Sequence, residues 1–434
     1  MAGLLAAVSL AGGVNAQPPQ HLAINLADLE LEQLTQVTVR SASRREQRLA
    51  EVPASIFVIT AEDIRRAGVS TLPEALRLAP NLQVVRPDAS QTIVTARGGL
   101  AGTANKMLVL IDGRTVYTPL FSGVFYDALA IMLEDVERIE VISGPGSTLW
   151  GTNAVNGVIN VTTKSAHDTR GGLLAAGAGN EERGAAARFG WAAGQGGAVR
   201  AYARYYDRDD FRLASGASAR DASIRWQAGA RGDWQRAVDN WTVQGEVYGA
   251  AVDNLGGARD MYGGHVLGRY RRMVSANSEL MLQAYWDRTD REHAGTFEER
   301  RDTFDVEGHY ATSWGAHKAA WGGGYRASRD RTAMTPVLAF MPPDRTLTIV
   351  SVFAQDEFAI SKALRVTLGL RAERNTYTGW EWLPNARLSY LLSSDDVIWS
   401  ALTRTVRSPS RLDRDLVVPG MPPFTIVNNE TFRS

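Results

Sequence analysis

Hydrophobic and polar positions alternate with a period of two through most of the chain after residue 165. In the segment 198–208, one face carries apolar side chains and the other carries Arg200, Arg204 and Arg208. The same alternation runs through the segments 222–231, 241–249, 279–288 and 364–374. Because successive side chains of a strand point to opposite faces, this period predicts half-buried antiparallel strands.

The alternation alone would fit either a soluble sheet or a membrane barrel, and the lengths of the segments and of their connections distinguish the two. The segments span nine to thirteen residues, longer than ordinary strands and long enough for a tilted bilayer crossing. Short connections fall at 193–197, 275–279, 360–363 and 393–396. Long ones are expected near 209–219, 252–262, 289–300, 329–345, 375–383 and 407–430. This alternation is typical of outer-membrane barrels, and the template predicts about thirteen strands.

The part of the chain before residue 165 mixes short strands with helices. The run at 55–60 predicts a strand, and a helix follows with Thr60 as N-cap and Asp63 in the capping-box position. A second helix is expected from Pro73, ending at Pro80. Further strands are expected within 106–113, 136–144 and 155–164. The predicted fold is therefore an α+β domain of about 130 residues, followed by an antiparallel transmembrane β-barrel.

Composition narrows the range of functions. Lys plus Arg and Asp plus Glu both number 47, so the net charge is zero, which argues against nucleic acid as a partner. There are no cysteines, which excludes disulfides, thiol nucleophiles and Cys-ligated zinc. Residues 1–16 have an apolar core and a small-x-small end, so they are predicted to be part of a signal peptide. Residues 17–36 are expected to form a periplasmic extension.

The search for catalytic chemistry gives no enzyme prediction. The segment 144–153 is glycine-rich but lacks the Lys-Ser/Thr pair of a phosphate loop. Six histidines show no zinc-protease spacing, and His309 with His317 is only a weak metal candidate. Asp112 is followed by Gly113, as in a turn. No catalytic residue, metal or cofactor is predicted.

Two long segments, 96–127 and 133–166, resemble the plug domain of TonB-dependent outer-membrane transporters. They carry an Arg-Gly step, the run LVLIDG, the run VERIEVISGPG, a Trp-Gly step and the run GVINVTTK, at the spacing typical of that family. Ser143 and the pair Gly98-Gly99 depart from the usual pattern. The matching signature residues are Arg97, Gly98, Asp112, Gly113, Glu137, Arg138, Glu140, Gly144, Pro145, Gly151 and Gly157.

The resemblance implies a domain organisation and a location. A plug domain is expected over 37–166 and the first part of a barrel over 167–434, in the bacterial outer membrane and in contact with its lipid. Family barrels have 22 strands, so a barrel of about thirteen is expected to be incomplete, truncated at its carboxy-terminal end. A Ton box is expected near residue 37, with an ordinary edge strand as the alternative. The Ton-box candidates are Val37, Thr38, Val39, Arg40 and Ser41.

The resemblance also implies a function. Family members import a scarce nutrient, with TonB and its inner-membrane energising complex as partners, so a ferric siderophore or other iron complex is the expected ligand. Cobalamin or another non-iron nutrient is the alternative within the class, and a barrel enzyme or adhesin without Ton coupling is the alternative outside it. No amino-terminal signalling domain is expected. Candidate ligand contacts, with packing against the wall as their other role, are Arg86, Asp88, Tyr117, Phe121, Phe125 and Tyr126.

Overall fold

A computed structural model of the chain describes residues 5–8, 38–39, 47–49, 52–97, 106–129, 131–254, 256–393 and 396–418. Three short strands come first: β1 (Leu5–Val8), β2 (Thr38–Val39) and β3 (Gln47–Arg48). β2 pairs with β3 in an antiparallel ladder. The signal peptide expected over residues 1–16 stays a prediction, because the structure does not test whether it is cleaved. The periplasmic extension expected over 17–36 lies outside the described residues.

The plug domain is built on a mixed sheet with the strand order β4-β9-β10-β7-β8. Its strands are β4 (Ser55–Thr60), β5 (Gln83–Val85), β6 (Ile93–Thr95), β7 (Met107–Ile111), β8 (Arg114–Thr115), β9 (Val136–Ser143) and β10 (Gly157–Thr163). Its helices are α1 (Ala61–Ala67), α2 (Leu72–Ala75) and α3 (Ser147–Trp150). Single 3₁₀ turns occupy Leu76–Leu78, Tyr126–Ala128, Leu133–Asp135 and Ala166–Thr169.

The predicted start of α1 is confirmed in detail. The Thr60 hydroxyl accepts from the Asp63 amide at 3.1 Å, and the Asp63 carboxylate accepts from the Thr60 amide at 2.9 Å. This reciprocal pair is a capping box, which satisfies two amides that the first helical turn leaves free. The second predicted helix is shorter than expected, because its α-helical part ends at Ala75 and a 3₁₀ turn completes it.

The core of the plug lies between its sheet and its helices. Ile59, Val109, Ile139 and Ile159 are all fully buried there, one from each of four adjoining strands. Gly157 begins β10, where an added Cβ would lie 2.2 Å from the carbonyl oxygen of residue 142. Only glycine fits so close a strand approach, which explains the last glycine of the plug signature.

Most of the described residues after 170 form one antiparallel sheet that curves around the plug. Each strand pairs with the next along the chain, in the order β11 to β19 and then β21 to β24, and β1 lies beside β11 at the edge. These are thirteen wall strands, as predicted. Their bounds are β11 (Gly171–Ala178), β12 (Glu182–Ala192), β13 (Gly197–Arg208), β14 (Ser223–Arg236), β15 (Asp239–Val252), β16 (Arg259–Ser275), β17 (Ser278–His293), β18 (Phe297–Trp314), β19 (His317–Thr332), β21 (Asp344–Ala359), β22 (Leu364–Asn375), β23 (Gly379–Leu391) and β24 (Val397–Thr403).

Three elements complete the fold on the side of the long loops. They are β20 (Ala339–Phe340), α4 (Arg411–Arg414) and β25 (Leu416–Val417). β20 pairs with β25 in a small antiparallel ladder. Within the described residues, β1 and β24 are the two edges of the wall and do not pair with each other. Among all the described residues, no helix is long and apolar enough to cross a bilayer.

Two of the connections that were expected to be long are short in the structure, so these two predictions are wrong. The structure continues β17 to His293 and begins β18 at Phe297, so only 294–296 connect them, where 289–300 was expected. Likewise 376–378 connect β22 to β23, where 375–383 was expected. The charged residues at the ends of β17 and β18 gave a loop-like pattern at 289–300. They still pair across the ladder, however, because the strands extend past the apolar band into water.

The outward face of the wall carries an apolar band of membrane width. On β16 the outward residues run from Tyr262 through Val266 to Tyr270, and Tyr262 and Val266 are 55% exposed. Eight residues span about 26 Å along the strand, and the tilt of barrel strands makes this about 20 Å across the bilayer, which is most of the height of the apolar band. Tyr270 packs on Trp241 of β15 with ring centroids 4.2 Å apart. Such aromatic pairs mark the level of the lipid headgroups.

Candidate functional site

Arginines on the inner face of the wall hold the plug in place. Arg291 pairs with Asp127 at 2.8 Å, and Arg225 donates to the carbonyl oxygen of Ser90 at 2.8 Å. Further wall-to-plug bonds come from Arg188, Arg200, Arg204, Arg208, Arg231, Arg259, Arg269, Arg301 and Arg326. A guanidinium presents several donors in a fixed fork, so one side chain can bind both a carboxylate and a backbone carbonyl. The plug is therefore fixed by buried, charged hydrogen bonds on many strands.

Asp112 links the plug sheet internally and to the wall. Its carboxylate accepts from the Thr163 amide at 2.9 Å and from the Thr163 hydroxyl at 2.7 Å, and it lies 3.6 Å from Arg231. Burial raises the pKa of Asp112, but the charges of Arg231 and Arg269 and the two bonds from Thr163 lower it further. The net pKa lies below the ordinary value, so the carboxylate is ionised and structural. The turn role expected from the Asp-Gly pair is observed.

The first apex loop, residues 86–91, lies between the plug and the upper ends of the wall strands. Arg86 pairs with Glu74 at 3.0 Å and its guanidinium lies 4.9 Å from the ring centre of Phe211. Asp88 accepts from the Ser90 amide at 2.9 Å and lies 3.5 Å from Arg259. Both candidates are half-buried and already have partners. A ligand that bound them would have to compete with these pairs.

The second apex loop, residues 115–126, carries the aromatic candidates, and these differ in their contacts. Phe121 and Phe125 are half-buried and pack edge to face at 4.6 Å. The guanidinium of Arg291 lies 3.4 Å from the centre of the Phe125 ring, a cation–π contact. Tyr117 donates to Ser122 at 2.6 Å, and burial raises the pKa of its phenol well above the usual range. Tyr126 is 5% exposed in the plug core, which favours its packing role.

A cover, which we define as residues 338–343 and 404–417, lies over this second loop. The amides of Arg411 and Leu412 donate to the carbonyl oxygens of Pro119 and Leu120, at 3.0 and 2.8 Å. Phe340 packs with Leu120 and Phe297 in an apolar cluster that Phe121 and Phe125 also contact. The cover therefore closes over Leu120 and packs beside Phe121 and Phe125, which remain half-buried.

One buried arginine fastens the cover. Arg411 is fully buried and pairs with Asp330 of β19 and with Asp415, each at 3.0 Å. It also donates to the carbonyl oxygen of Pro342 and faces the ring of Phe340. Sequence reasoning missed this role, since it treated 407–430 as a loop. The Ser410–Asp413 capping-box spacing was the available signal.

The remaining signature residues are spread over the plug and do not meet at one site. Arg138 pairs with Glu137 and with the fully buried Glu140, the latter at 2.7 Å. Gly113, Gly144 and Gly151 have positive φ, at 76°, 94° and 86°, which favours glycine there. Pro145 and Arg97 are exposed, while Gly98 lies outside the described residues.

The Ton-box candidates are described only in part. Thr38 and Val39 form β2, and Thr38 lies opposite Arg48 of β3. Val37, Arg40 and Ser41 lie outside the described residues. The position of the Ton box stays a prediction.

Comparison with known protein families agrees with this architecture. A plug inside an antiparallel wall with a lipid-facing apolar band defines a plugged outer-membrane barrel protein. The family model of the TonB-dependent receptor plug domain matches residues 48–158, and that of the TonB-dependent receptor-like β-barrel matches residues 161–430. The chain belongs to the TonB-dependent receptors, and it is a protein of the bacterial outer membrane. The family is one of receptors and transporters, by name and fold.

The names of similar curated proteins point to different nutrients, vitamin B12 in one case and a link to iron in another. The vitamin B12 transporter BtuB of Vibrio vulnificus strain CMCP6 is 33% identical over 151 residues, which is 34% of this chain and 24% of that protein. An iron-regulated outer membrane virulence protein of Vibrio cholerae serotype O1 is 34% identical over 131 residues, or 29% of this chain and 20% of that protein. The matched stretches thus span about a quarter or less of these relatives.

Solved structures share the fold at low identity. The siderophore receptor PirA of Pseudomonas aeruginosa has a TM-score of 0.63 and 18% identity, over 83% of this chain and 63% of that one. The pyoverdine-bound FpvA of P. aeruginosa has a TM-score of 0.69 and 12% identity, over 86% of this chain and 59% of that one. At such identity the likeness concerns architecture alone.

Proposed function

We propose that the complete protein imports a scarce nutrient across the outer membrane with energy supplied through TonB. The expected ligand is a ferric siderophore or another iron complex. The observation that carries this proposal is the plug, which lies inside the wall and is tied to it by buried arginines such as Arg291 and Arg231. Along the described strands the plug lies against the inner face of the wall, so uptake of a chelated metal requires the plug to move.

The strength of the plug contacts explains why outside energy is needed. Hydrogen bonds to charged groups contribute about 1.5–3 kcal/mol each in proteins. Several such bonds must all be broken before the plug can leave the wall, which thermal motion alone accomplishes rarely. A periplasmic partner that adds a strand at the Ton-box candidates, residues 37–41, would supply that work, because main-chain pairing can bear a pull while tolerating sequence change.

The proposed ligand contacts are at the apex. Arg86, Asp88, Tyr117, Phe121 and Phe125 stay in the proposal, while Tyr126 acts through packing. Aromatic rings and guanidinium groups lie together there, as in the contact between Arg291 and Phe125. Such a surface suits a ligand that is anionic and carries flat rings, which describes many iron chelates.

Cobalamin is the second candidate, and the relatives named as vitamin B12 transporters favour it. A knockout strain grown on single iron sources, with cobalamin-dependent growth measured in parallel, separates the two. Loss of growth on one iron source alone supports the first candidate. Loss of cobalamin-dependent growth alone supports the second and rejects the first.

A deletion tests the coupling to TonB. The complete protein without residues 36–42 should bind its ligand as before and lose uptake. Deletion of seven residues inside 17–36 is the matched control and should leave uptake in place. Uptake that survives the first deletion contradicts TonB coupling and points to a barrel of another class.

A further inference from the structure

A groove crosses the outward, lipid-facing side of the wall. It has a volume of about 870 Å³, and strands β19 and β21–β23 supply most of its lining. It lies near the short connections 315–316 and 360–363, which mark the periplasmic end of a barrel. Its outward lining mixes the alanines Ala319, Ala354 and Ala386 with the larger Trp321 and Leu368. The small side chains leave a recess within the apolar band.

A carboxylate lies in this apolar recess. Asp356 lines the groove from β21, on the same face as Ala354 and Phe358, which are two residues away on either side. Across the two ladders of β21, Asp356 lies opposite Ala319 and Leu368. A charged side chain on the lipid face destabilises a barrel, and ionisable residues at membrane depth are rare and mark functional sites. Asp356 therefore calls for a partner.

Aromatic side chains hold this carboxylate in position. His317 Nδ1 donates to Asp356 Oδ2 at 2.7 Å. The His317 ring stacks on Trp314 with centroids 5.1 Å apart, and its centroid lies 4.8 Å from that of Phe358. In the register His317 lies opposite Phe358, two residues nearer the periplasmic turn than the position opposite Asp356. The carboxylate is thus directed towards the aromatic girdle at the membrane surface.

The second oxygen of Asp356 has no donor within the protein. Oδ1 is buried and makes no hydrogen bond to any described residue. Buried polar atoms are nearly always hydrogen-bonded, and hydrocarbon chains offer no donor. A donor for this oxygen has to come from a molecule beside the wall. A cationic donor fits best, because it also complements the charge of the carboxylate and forms a stronger bond.

We infer that this groove binds a phospholipid of the periplasmic leaflet whose headgroup carries an ammonium, such as phosphatidylethanolamine. The ammonium donates to Asp356 Oδ1 beside the exposed ring of Trp314, whose face attracts a cation. One acyl chain fills the recess at Ala354 and Ala386. The inference is independent of the proposed function, because the groove is on the opposite side of the wall from the plug.

The charge of the groove favours this lipid over a second copy of the chain. A twofold dimer through this face would bring the same surface of both copies together. Two Asp356 carboxylates would then approach each other within the membrane, where like charges repel strongly. Arg404 also lines the groove, but it already pairs with Glu381 at 2.9 Å.

Native mass spectrometry of the complete protein, delipidated in detergent and titrated with lipid, tests the site. The probes are phosphatidylethanolamine and phosphatidylglycerol with the same acyl chains. The first phosphatidylethanolamine should bind about tenfold more tightly than the first phosphatidylglycerol, as expected for one hydrogen bond to a charged group. Asp356→Asn should remove most of this preference, because the amide carries no charge.

The control for the charge is Asp302→Asn. Asp302 is an outward carboxylate of β18 that lies near Arg288 and Arg331 and does not line the groove, so the preference should be kept.

The recess has its own pair of variants. Ala354→Phe should fill the groove and weaken the binding of both lipids. Val352→Phe is the control, since Val352 is on the same face of β21, is 59% exposed and does not line the groove.

Three results would overturn the inference. One is a lipid preference that Asp356→Asn leaves unchanged. Another is binding of both lipids to Ala354→Phe at the strength seen with Val352→Phe, and this comparison decides alone if Asp356→Asn does not fold. The third is a dimer of the unaltered protein that Ala354→Phe abolishes and Val352→Phe does not, since the groove would then hold a second copy.

Discussion

Replacement of Arg411 by methionine should open the cover over the apex loop. Arg411 and its partner Asp330 are both fully buried, with a nitrogen-to-oxygen distance of 3.0 Å. Methionine keeps much of the volume but leaves the Asp330 charge buried without its main partner. The apex backbone bonds to Pro119 and Leu120 depend on the same segment, so local opening should follow before the wall is affected.

The expected magnitude comes from the buried pair. Removing one partner of such a pair costs about 3–5 kcal/mol, and each 1.4 kcal/mol is about a factor of ten in an equilibrium constant. The open fraction of the cover should therefore rise by about 10²–10⁴-fold. Replacing both partners, as in Arg411→Met with Asp330→Leu, should recover most of this change, because the Asp330 charge is gone and Asp415 keeps its pair with Arg345 at 2.6 Å.

A single cysteine measures the opening. The chain has no cysteine, so Leu120→Cys, placed under the cover, gives one thiol whose maleimide labelling rate follows the open fraction. Arg329→Ala is the matched control: Arg329 neighbours Asp330 on β19, but its pair with Asp344 is exposed, and labelling should change by less than about threefold. A labelling rate in Arg411→Met within that same range would refute the assignment of Arg411 as the fastening residue.

Three further predictions concern the plug. Thr60→Ala should lower the free energy of unfolding of the plug by about 0.5–2 kcal/mol in urea titrations, because α1 loses its cap. The control is Thr71→Ala, which should cost less because the Thr71 side chain makes no cap bond. Equal losses in the two variants would contradict the capping argument. Gly157→Ala should prevent plug folding, since its Cβ would lie 2.2 Å from a carbonyl oxygen. Gly268→Ala is the control and should be tolerated, because its Cβ would have no atom within 4 Å. Normal surface levels of Gly157→Ala would contradict this prediction. Asp112→Asn should flatten the pH dependence of thermal stability. The folded-state pKa of Asp112 is lowered, so its contribution is present above the unfolded pKa and is lost as the pH falls through the folded one, and the unaltered protein should lose more stability than the variant between about pH 6 and pH 3.

Local signals predicted the plug well. The strand Ser55–Thr60 and the capping box of Thr60 and Asp63 were predicted residue by residue, because both depend on neighbours within four positions. The parallel pairing of β10 with β7 could not be predicted from the pattern, since pairing partners far apart in sequence leave no local trace. Family resemblance, by contrast, identified the plug as a whole.

The wall shows where periodicity is informative and where it is not. The alternation of side chains gave the number of strands, because a lipid-facing band imposes it on every crossing. It did not give the ends of β17 and β18, because above the bilayer both faces meet water and charged residues occupy both. Pairs such as Arg300 with Asp290 stabilise the ladder there without an apolar pattern.

The partners of the inner arginines could not be predicted from their spacing. Arg200, Arg204 and Arg208 were recognised as one face of a strand, and that face was correct. Their targets are carbonyl oxygens and carboxylates of the plug, such as Ser70 and Glu74, which are more than a hundred residues away. Backbone carbonyls have no sequence signature, so any residue type can sit opposite an arginine.

That chemistry bears on how a plug can be both firmly held and movable. An apolar plug–wall interface would exclude water, and its separation would expose a large apolar area at once. Arginine contacts such as those of Arg231 and Arg326 can instead be exchanged for water one at a time if the plug is pulled, since each guanidinium has several donors. A pull that starts at one end therefore needs to break only a few contacts at any moment.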